Sequence, residues 1–306
     1  MFTGQVSVLI VGGTNNNAYQ TDVEILPYKE NCSLPKLWGP IDYPSIFQHG
    51  SDILLCGNEG NEGICWKLNR NNAEWVRYNS LLTTKNHPFY VVSMKSETFL
   101  FGRSTDDNNN FIGVSDVLKH RSDTWQKGPE LPSGFLHNRI LEGSCGIKIS
   151  DDELLIIGGS APETTVLKLN TSENSWHNTT INLSAFDHRC IVLNRKIIIT
   201  GGIGLYSTFI IDILDDDKLE LRGGGNLSKH RQEHGMGIIN LDSEFKVIAF
   251  GGVSTTGEEH NSVEMWNDSE ETWSNSGLIL QKPKLKFGFG TFPTELLCPN
   301  AKLSKN

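Results

Sequence analysis

The sequence predicts an all-β fold made of six similar units, each with four short strands. Two features predict it. Apolar segments that end in glycine recur along the whole chain of 306 residues, and each is followed by the same order of further strand-forming segments. No segment has the 3.6-residue apolar period of an amphipathic helix. The regular return of one segment type therefore indicates a repeat architecture.

The glycine-ending segment is the first element of each unit. Its copies are "SVLIVGG" (7–13), "DILLCGN" (52–58), "ETFLFGR" (97–103), "ELLIIGG" (153–159), "KIIITGG" (196–202) and "KVIAFGG" (246–252). Their first glycines stand at positions 12, 57, 102, 158, 201 and 251, so the spacings are 45, 45, 56, 43 and 50 residues. Spacings of this size are typical of repeats in which each unit is one small sheet.

Three further strands complete each unit. After a polar loop comes a second β-rich run, such as "ICWKL" or "TVLKL", and then a short polar turn. A third strand follows, marked in four units by Trp75, Trp125, Trp176 or Trp273. A longer loop leads to a last strand, such as "CGIKI" or "GMGII". Because Gly, Asn and Asp dominate the connections, we expect tight turns between these strands.

This pattern resembles the kelch family over nearly the whole chain. The matching residues are the tryptophans and four glycine pairs, which begin at Gly12, Gly158, Gly201 and Gly251. The resemblance implies a six-bladed kelch-type β-propeller, with four antiparallel strands per blade around a central channel. Stacking the blades around a ring would bury both apolar faces of each sheet.

Some units depart from the kelch pattern. Asn58 and Arg103 replace the second glycine in units 2 and 3. Unit 5 has "KLELRGG" where a tryptophan is expected, and unit 1 has Cys32 at that place. We expect these departures to change the geometry of single blades and to leave the fold unchanged.

The C-terminal segment is predicted to close the ring. The chain starts directly with a glycine-ending strand, and "KFGFGTFP" (286–293) aligns with "EHGMGIIN" (233–240), the last strand of another unit. We expect this segment to insert as the innermost strand of blade 1, which would remove an open sheet edge. One propeller domain would then span residues 1–298, with a short tail at 299–306.

Four of the six cysteines are candidates for disulfide bonds. Cys56 and Cys65 flank a hairpin loop and can lie opposite each other, so we expect a disulfide there, with two free thiols as the alternative. Cys32 and Cys298 are both expected in blade 1. A bridge between them would lock the ring, and two free thiols are again the alternative.

The other two cysteines are predicted to be buried free thiols. Cys145 and Cys190 are expected at equivalent places on the innermost strands of blades 4 and 5, where Gly235 and Gly288 stand in other units. A disulfide between neighbouring blades would require a Cα separation below about 7 Å.

The kelch resemblance also implies that partners bind one face of the ring, formed by two sets of loops. One set follows the glycine-ending strands, at residues 12–22, 57–64, 102–114, 158–165, 201–208 and 251–262. The other precedes the innermost strands, at residues 35–45, 80–89, 128–143, 179–189, 223–234 and 277–286. The candidate ligand-binding residues are Tyr19, Arg103, His137, Arg139, His188, Arg189, Tyr206, His230, Arg231, His234 and His260. For each, the alternative is a solvated side chain or a turn hydrogen bond.

Three of these candidates suggest a particular chemistry. Arg139, Arg189 and Arg231 each precede an innermost strand in successive blades, so they are predicted to form a positive rim suited to carboxylates. "HRQEH" (230–234) carries two histidines four residues apart, but it lies in a glycine-flanked loop instead of a helix, so no metal site is predicted. The acidic segment "DILDDDKLE" (212–220) is interpreted as a solvated turn.

Composition narrows the possible partners and compartments. The net charge of −9 argues against nucleic acid or anionic membranes as partners, and no apolar run is long enough to span a bilayer. "MFTGQVSVLIVGG" is interpreted as a strand and not as a signal peptide. The cysteine placement resembles that of secreted invertebrate kelch proteins, so secretion and an intracellular location both stay open. Asn-x-Ser/Thr acceptors, which are weak evidence for secretion, occur at Asn31, Asn170, Asn178, Asn182, Asn226 and Asn267.

The functional hypothesis is a monomeric, non-enzymatic module without a cofactor that binds a protein or glycan through its loop face. The first alternative is an enzyme, since some kelch-type propellers are copper oxidases or sialic-acid mutarotases. The Tyr–Cys cofactor of the oxidases cannot be assigned here, whereas a mutarotase-like site needs only Arg, Glu and His facing the funnel. The second alternative is a substrate adaptor of a ubiquitin ligase, whose helical dimerisation domain finds no room before the first strand.

Overall fold

The computed structural model describes residues 4–30, 32–59, 62–82, 87–105, 111–120, 122, 124–132, 143–159, 165–183, 185–204, 206–215 and 218–298. Within these ranges the chain forms an all-β propeller of six antiparallel blades, which confirms the predicted fold class. No helix in the same ranges is long and apolar enough to cross a membrane.

The first three blades are built from strands β1 to β12 and the C-terminal strand β25. Blade 1 contains β1 (Val6–Val11), β4 (Val23–Leu26) and β25 (Gly288–Pro293), with a small hairpin of β2 (Thr14–Asn15) and β3 (Ala18–Tyr19) at one end. Blade 2 contains β5 (Asp42–His49), β6 (Asp52–Glu59), β7 (Glu62–Asn69) and β8 (Glu74–Ser80). Blade 3 contains β9 (His87–Ser93), β10 (Glu97–Thr105), β11 (Phe111–Lys119) and β12 (Trp125–Lys127).

The last three blades repeat the same order. Blade 4 contains β13 (Cys145–Lys148), β14 (Glu153–Ile157), β15 (Thr165–Asn170) and β16 (Ser175–Asn182). Blade 5 contains β17 (Arg189–Leu193), β18 (Lys196–Thr200), β19 (Thr208–Ile213) and β20 (Leu219–Gly224). Blade 6 contains β21 (Gly235–Leu241), β22 (Glu244–Phe250), β23 (Ser262–Asn267) and β24 (Thr272–Ile279). A short helix, α1 (Thr294–Leu297), follows β25.

Six apolar clusters hold the ring together, one between each pair of neighbouring blades. Successive residues of a strand point to opposite faces, so one strand serves two clusters. In β6, for example, Leu55 packs toward blade 1 while Leu54 packs toward blade 3. This explains why the glycine-ending segments are apolar throughout, as strands buried on both faces are.

The glycine pairs are places where the next blade comes very close. Gly158 and Gly201 have φ values of 71° and 70°, in the left-handed region. A Cβ at Gly158 would lie 2.4 Å from Cε1 of His188, and a Cβ at Gly201 would lie 2.5 Å from Cε1 of His234. Each glycine therefore makes room for an aromatic ring that the following blade supplies.

The ring closes as predicted from the C-terminal alignment. Strand β25 pairs with β1 in antiparallel register from Val11 opposite Gly288 to Val6 opposite Pro293. The Thr294 N–H then donates to the carbonyl oxygen of Gln5 at 2.8 Å. A disulfide joins Cys32 to Cys298 with a Cα separation of 5.1 Å, so a covalent bond locks the closure.

Blade 1 differs from the prediction at its outer side. Its sheet has three strands among the described residues, in the order β25–β1–β4, whereas each of the other five blades has four. Cys32 lies in an irregular segment and not in an outer strand. Pro27, Pro35 and Pro40 in this part of the chain lack the N–H group that a strand ladder requires.

The remaining cysteines form two more disulfides. Cys56 and Cys65 face each other on paired strands with a Cα separation of 4.1 Å, which confirms that prediction. Cys145 and Cys190 are also bonded, with a Cα separation of 6.0 Å, so the prediction of two free thiols is wrong. These two cysteines are not equivalent either, because Arg189 is the residue of blade 5 that matches Cys145 in strand register.

Candidate functional site

A central channel of about 890 Å³ runs between the innermost strands of all six blades. Strands β5, β9, β13, β17, β21 and β25 each contribute residues to its wall. Cavities of this volume accommodate small molecules or the tip of a larger partner. The lining extends from Tyr43 and Arg189, at the loop-face end of the innermost strands, to Lys148 and Arg195 at their opposite end.

A residue with left-handed backbone lies just before the innermost strand in four blades and at the second residue of β5 in blade 2. The residues at this position are Tyr43, Gly143, Asp187, Glu233 and Lys286, with φ values between 45° and 70°. Left-handed backbone is uncommon for residues other than glycine, and such residues concentrate at functional sites. Four of the five positions nevertheless carry side chains, and together these positions form a ring at the channel mouth.

The side chains of this ring contact one another across blades. The Tyr43 hydroxyl donates to Oε1 of Glu233 at 2.7 Å, which links blade 2 to blade 6. The Nζ atom of Lys286 lies 5.3 Å from the centroid of the Tyr43 ring, within the range of a cation–π interaction. The turn residues of blades 1, 2 and 6 therefore form one connected polar group.

Arg189 adds a second cation to the mouth. Its side chain lines the channel, donates to the carbonyl oxygen of His188 at 3.0 Å and has Cζ 5.9 Å from the Phe289 ring centroid. Burial lowers the pKa of the guanidinium, whereas Asp187, Glu233 and Tyr43 raise it. We call Tyr43, Asp187, Arg189, Glu233 and Lys286 the mouth cluster.

Apolar side chains line the channel below the mouth cluster. They are Ile46, Ile147, Ile191, Met236, Ile238 and Phe289. Tyr90 also lines this part, stacked 5.3 Å from the Phe101 ring, and burial raises the pKa of its hydroxyl. A mostly apolar cavity with a few polar groups is the usual form of a ligand site.

Two predicted ligand residues, His188 and His234, lie inside the blade interfaces. Both side chains are fully buried against the glycine pairs described above. Burial, and secondarily Arg189, lowers the pKa of His188 to about 3. Burial lowers the pKa of His234 as well, with Arg189 and Arg231 adding to the effect. Both imidazoles are therefore neutral at physiological pH and do not face the channel mouth.

Arg231 is buried too, which corrects the predicted positive rim. Its Nε donates to Oε1 of Glu264 at 3.0 Å, and its other nitrogens donate to the Gly251 carbonyl oxygen and the Ser262 hydroxyl. Because each of its three nitrogens donates inside the protein and the side chain is fully buried, Arg231 is unavailable to a ligand. Arg139, the third rim residue, lies outside the described residues.

The two histidines of "HRQEH" and His260 occupy closed positions. His230 and His260 are almost fully buried, and Nε2 of His260 lies 3.1 Å from the carbonyl oxygen of His230. Within the described ranges, no group of three or more His, Cys, Asp or Glu side chains is arranged to hold a metal ion.

The exposed candidates lie on the loops that surround the mouth. Tyr19 is 57% exposed and Tyr206 is 48% exposed, and Ile203, which sequence reasoning did not select, is 51% exposed. Arg103 belongs to β10, and His137 lies outside the described residues. Among the predicted residues, the structure thus places Arg189 in the channel and Tyr19 and Tyr206 on the surrounding face.

Sequence reasoning missed four members of the mouth cluster: Tyr43, Asp187, Glu233 and Lys286. The sequence contained one signal of their equivalence. The alignment of "KFGFGTFP" with "EHGMGIIN" matches Lys286 with Glu233. The left-handed backbone that brings these residues to one ring has no signature in residue type, since tyrosine and lysine rarely adopt it.

Comparison with known proteins supports the fold and goes no further. No family model matches the chain, and no match is found among curated proteins. Among solved structures, the chain is similar to that reported as "Structure of YjhT", with a TM-score of 0.64 and 10% sequence identity. The match covers 82% of this chain and 88% of that one. At this identity the similarity shows a shared propeller architecture alone.

Proposed function

We propose that this protein is a non-enzymatic binding module whose loop face and channel mouth engage a protein or a glycan. The mouth cluster above an apolar channel is the observation that carries the proposal. Side chains held in a left-handed turn at four blades, where glycine would be relaxed, favour a role for those side chains in binding.

The charges of the mouth cluster indicate what kind of group it would bind. Arg189 and Lys286 are cationic and Asp187 and Glu233 are anionic, so the formal charges cancel. A balanced set of donors and acceptors suits hydroxyl or amide groups, which both donate and accept hydrogen bonds. Sugars and peptide backbones have such groups. Tyr19 and Tyr206 would add aromatic contact area around the mouth.

Binding assays with variants of the mouth cluster test this proposal. The purified chain would be titrated against a panel of defined oligosaccharides and against a displayed library of random peptides. For any ligand found, we expect Glu233→Gln and Arg189→Ala to weaken binding at least tenfold, since each removes a charged partner (about 1.4 kcal/mol or more). Arg70→Ala, at an exposed arginine between β7 and β8 that does not line the channel, is the control and should bind normally. Ligands that bind equally well to both mouth variants would refute the proposal.

A sugar-processing enzyme is the second candidate. Arg189 and Glu233 provide two of the three residue types that such a site needs at the funnel. The same oligosaccharide titrations, followed by NMR, distinguish the two functions. Spectra of the sugars that stay unchanged on incubation support a binding module, whereas anomer exchange or cleavage that Glu233→Gln abolishes would support the enzyme.

A further inference from the structure

In the part of the chain that the structure describes, no strand pairs with the free edge of β16, the outer strand of blade 4. Strand β16 pairs with β15 on one side, and its sheet ends there. Its eight residues, "SWHNTTIN", include no Lys, Arg, Asp, Glu or Pro. Proteins usually protect such edges with charges, prolines or short length, because an open edge can pair with another chain. The outer strands of blades 2 and 5 contain charged residues, and that of blade 3 has three residues. The outer strand of blade 6, "TWSNSGLI", is uncharged like β16 but carries no acceptor sequence.

This strand carries two acceptor sequences for N-linked glycans, Asn178-Thr179-Thr180 and Asn182-Leu183-Ser184. Both asparagines are exposed, and neither makes a side-chain hydrogen bond to the described part of the chain. Leu183 is buried in the cluster between blades 4 and 5, which fixes the backbone and leaves Asn182 outside.

Blade 5 repeats this arrangement. Asn226 is exposed and directly precedes Leu227, which is buried and donates its N–H to the carbonyl oxygen of Tyr206 at 2.9 Å. The sequence is again Asn-Leu-Ser. In contrast, Asn170 and Asn267 each use Oδ1 to accept hydrogen bonds from the serine two residues later, inside tight turns. Among the described residues, the exposed acceptors are therefore concentrated on the outer side of blades 4 and 5, and Asn31 lies outside those residues.

The disulfides provide an independent argument about the compartment in which the chain folds. All six cysteines are bonded in three pairs, which requires an oxidising compartment such as the secretory pathway. N-linked glycans are added in that same pathway.

We propose that Asn178, Asn182 and Asn226 carry N-linked glycans that cover the open edge of blade 4 and the adjacent rim of blade 5. In the reaction, each amide nitrogen bonds to the anomeric carbon of an oligosaccharide that is held on a lipid diphosphate. The carbon–oxygen bond to the diphosphate breaks, the lipid diphosphate leaves, and the amide nitrogen loses one proton.

The test expresses the full chain behind a cleavable secretion signal in insect cells and measures its mass before and after peptide N-glycosidase treatment. We expect a mass loss on treatment, with peptide mapping that places glycans on β16 and at Asn226. Asn178→Gln, Asn182→Gln and Asn226→Gln should each remove one glycan. Ser228→Ala should remove the Asn226 glycan and Ser228→Thr should keep it, which separates acceptor chemistry from folding. Asn72→Gln, at an exposed asparagine outside any acceptor sequence, is the control.

The result that overturns the proposal is a secreted, folded chain with no glycan on β16 or none at Asn226. The role of the glycan has a separate readout in light scattering of concentrated protein. Asn178→Gln combined with Asn182→Gln removes both glycans from β16 and leaves the edge uncharged, whereas the glycosidase would leave aspartates there. This double variant should therefore increase self-association, and Asn178→Lys with Asn182→Gln, which places a charge on the same edge, should reduce it again. Equal scattering with and without glycans would refute edge protection.

Discussion

Two buried histidines are the residues through which this molecule is expected to sense acid. His188 and His234 are fully buried beside glycine pairs, and burial is the main cause of their lowered pKa values. In the unfolded chain a histidine takes up a proton near pH 6.5. Protonation therefore favours the unfolded state at every pH between that value and the lower pKa in the fold.

We predict that the free energy of unfolding falls as the pH decreases from about 6.5 toward 3. For His188, whose folded pKa is about 3, the loss is about 1.4 kcal/mol per pH unit within this window. His188→Phe should remove this part of the slope, because phenylalanine does not take up a proton. The larger ring should fit, since Phe287 fills the corresponding place in blade 1. Urea unfolding at a series of pH values measures the slope. Parallel curves for the variant and the parent would contradict the prediction, and His177→Phe, on the exposed surface of β16, is the control.

Residue type alone could not separate buried from accessible candidates. Arg189 and Arg231 both precede an innermost strand, yet one lines the channel and the other is enclosed. The difference depends on Glu264, a partner from a strand more than 30 residues away that supplies a buried carboxylate. Long-range pairing of this kind has no local sequence pattern, whereas the exposed Tyr19 and Tyr206 followed from their loop positions.

At the scale of strands and turns, the glycine pairs are the positions where the fold most strictly requires a particular residue type. Gly201 and Gly204 have nearly equal φ values of 70° and 73°. A Cβ at Gly201 would lie 2.5 Å from both the Arg231 carbonyl oxygen and Cε1 of His234, whereas nothing lies within 4 Å of a Cβ at Gly204. A substitution at Gly204 therefore tests backbone strain alone, whereas a substitution at Gly201 tests backbone strain and steric overlap together.

We predict that Gly204→Ala destabilises the protein by about 1–2 kcal/mol through its left-handed backbone alone. Gly201→Ala should destabilise it by about 2–5 kcal/mol, because the overlap with the next blade adds to the strain. Thermal and urea unfolding of both variants measures the difference. Equal losses would show that the blade can shift away from the added methyl group.

Most strands could be predicted because strand and turn signals agree in every unit. The glycine-ending strands are apolar on both faces, and tryptophans mark the outer strands β8, β12, β16 and β24. The missing outer strand of blade 1 was harder, since Cys32 stands where other units have tryptophan. Three prolines disfavour an outer strand in that region, because each lacks the backbone N–H that a strand ladder requires. An alignment of repeats does not take this local effect into account.

At the scale of the whole molecule, the ring depends on six interfaces and three disulfides of unequal span. The Cys32–Cys298 disulfide joins residues with a sequence separation of 266, whereas the sequence separation for Cys56–Cys65 is 9. A longer closed loop removes more conformational freedom from the unfolded chain. The closing disulfide should therefore stabilise the fold most.

We predict a loss of about 5 kcal/mol for Cys32→Ala with Cys298→Ala, and about 2–3 kcal/mol for the loss of the hairpin disulfide. Valine is the better replacement at Cys56 and Cys65, because both side chains are fully buried and the volume must be refilled. Urea unfolding gives the two free energies. A closure variant that loses no more than the hairpin variant would contradict the entropic argument.

The interblade disulfide was beyond sequence reasoning for a geometric reason. Cys145 and Cys190 differ by one position in strand register, and only the packing of blade 4 against blade 5 brings their Cα atoms to 6.0 Å. Repeat spacing predicts which strands are neighbours but not the axial offset between two blades.

The closed ring also determines how the protein would respond to pulling. The amino end of β1 lies beside the carboxyl end of β25, so tension applied at both ends would peel these two strands apart one pair at a time. Peeling would stop at the Cys32–Cys298 bond, which carries the force directly from one side of blade 1 to the other. The residues between the two cysteines would stay out of the line of tension. Under stretch, the loops of blades 2 to 6 would therefore keep their shape, whereas the segment before Cys32, with β1, β4 and the hairpin that carries Tyr19, would lengthen.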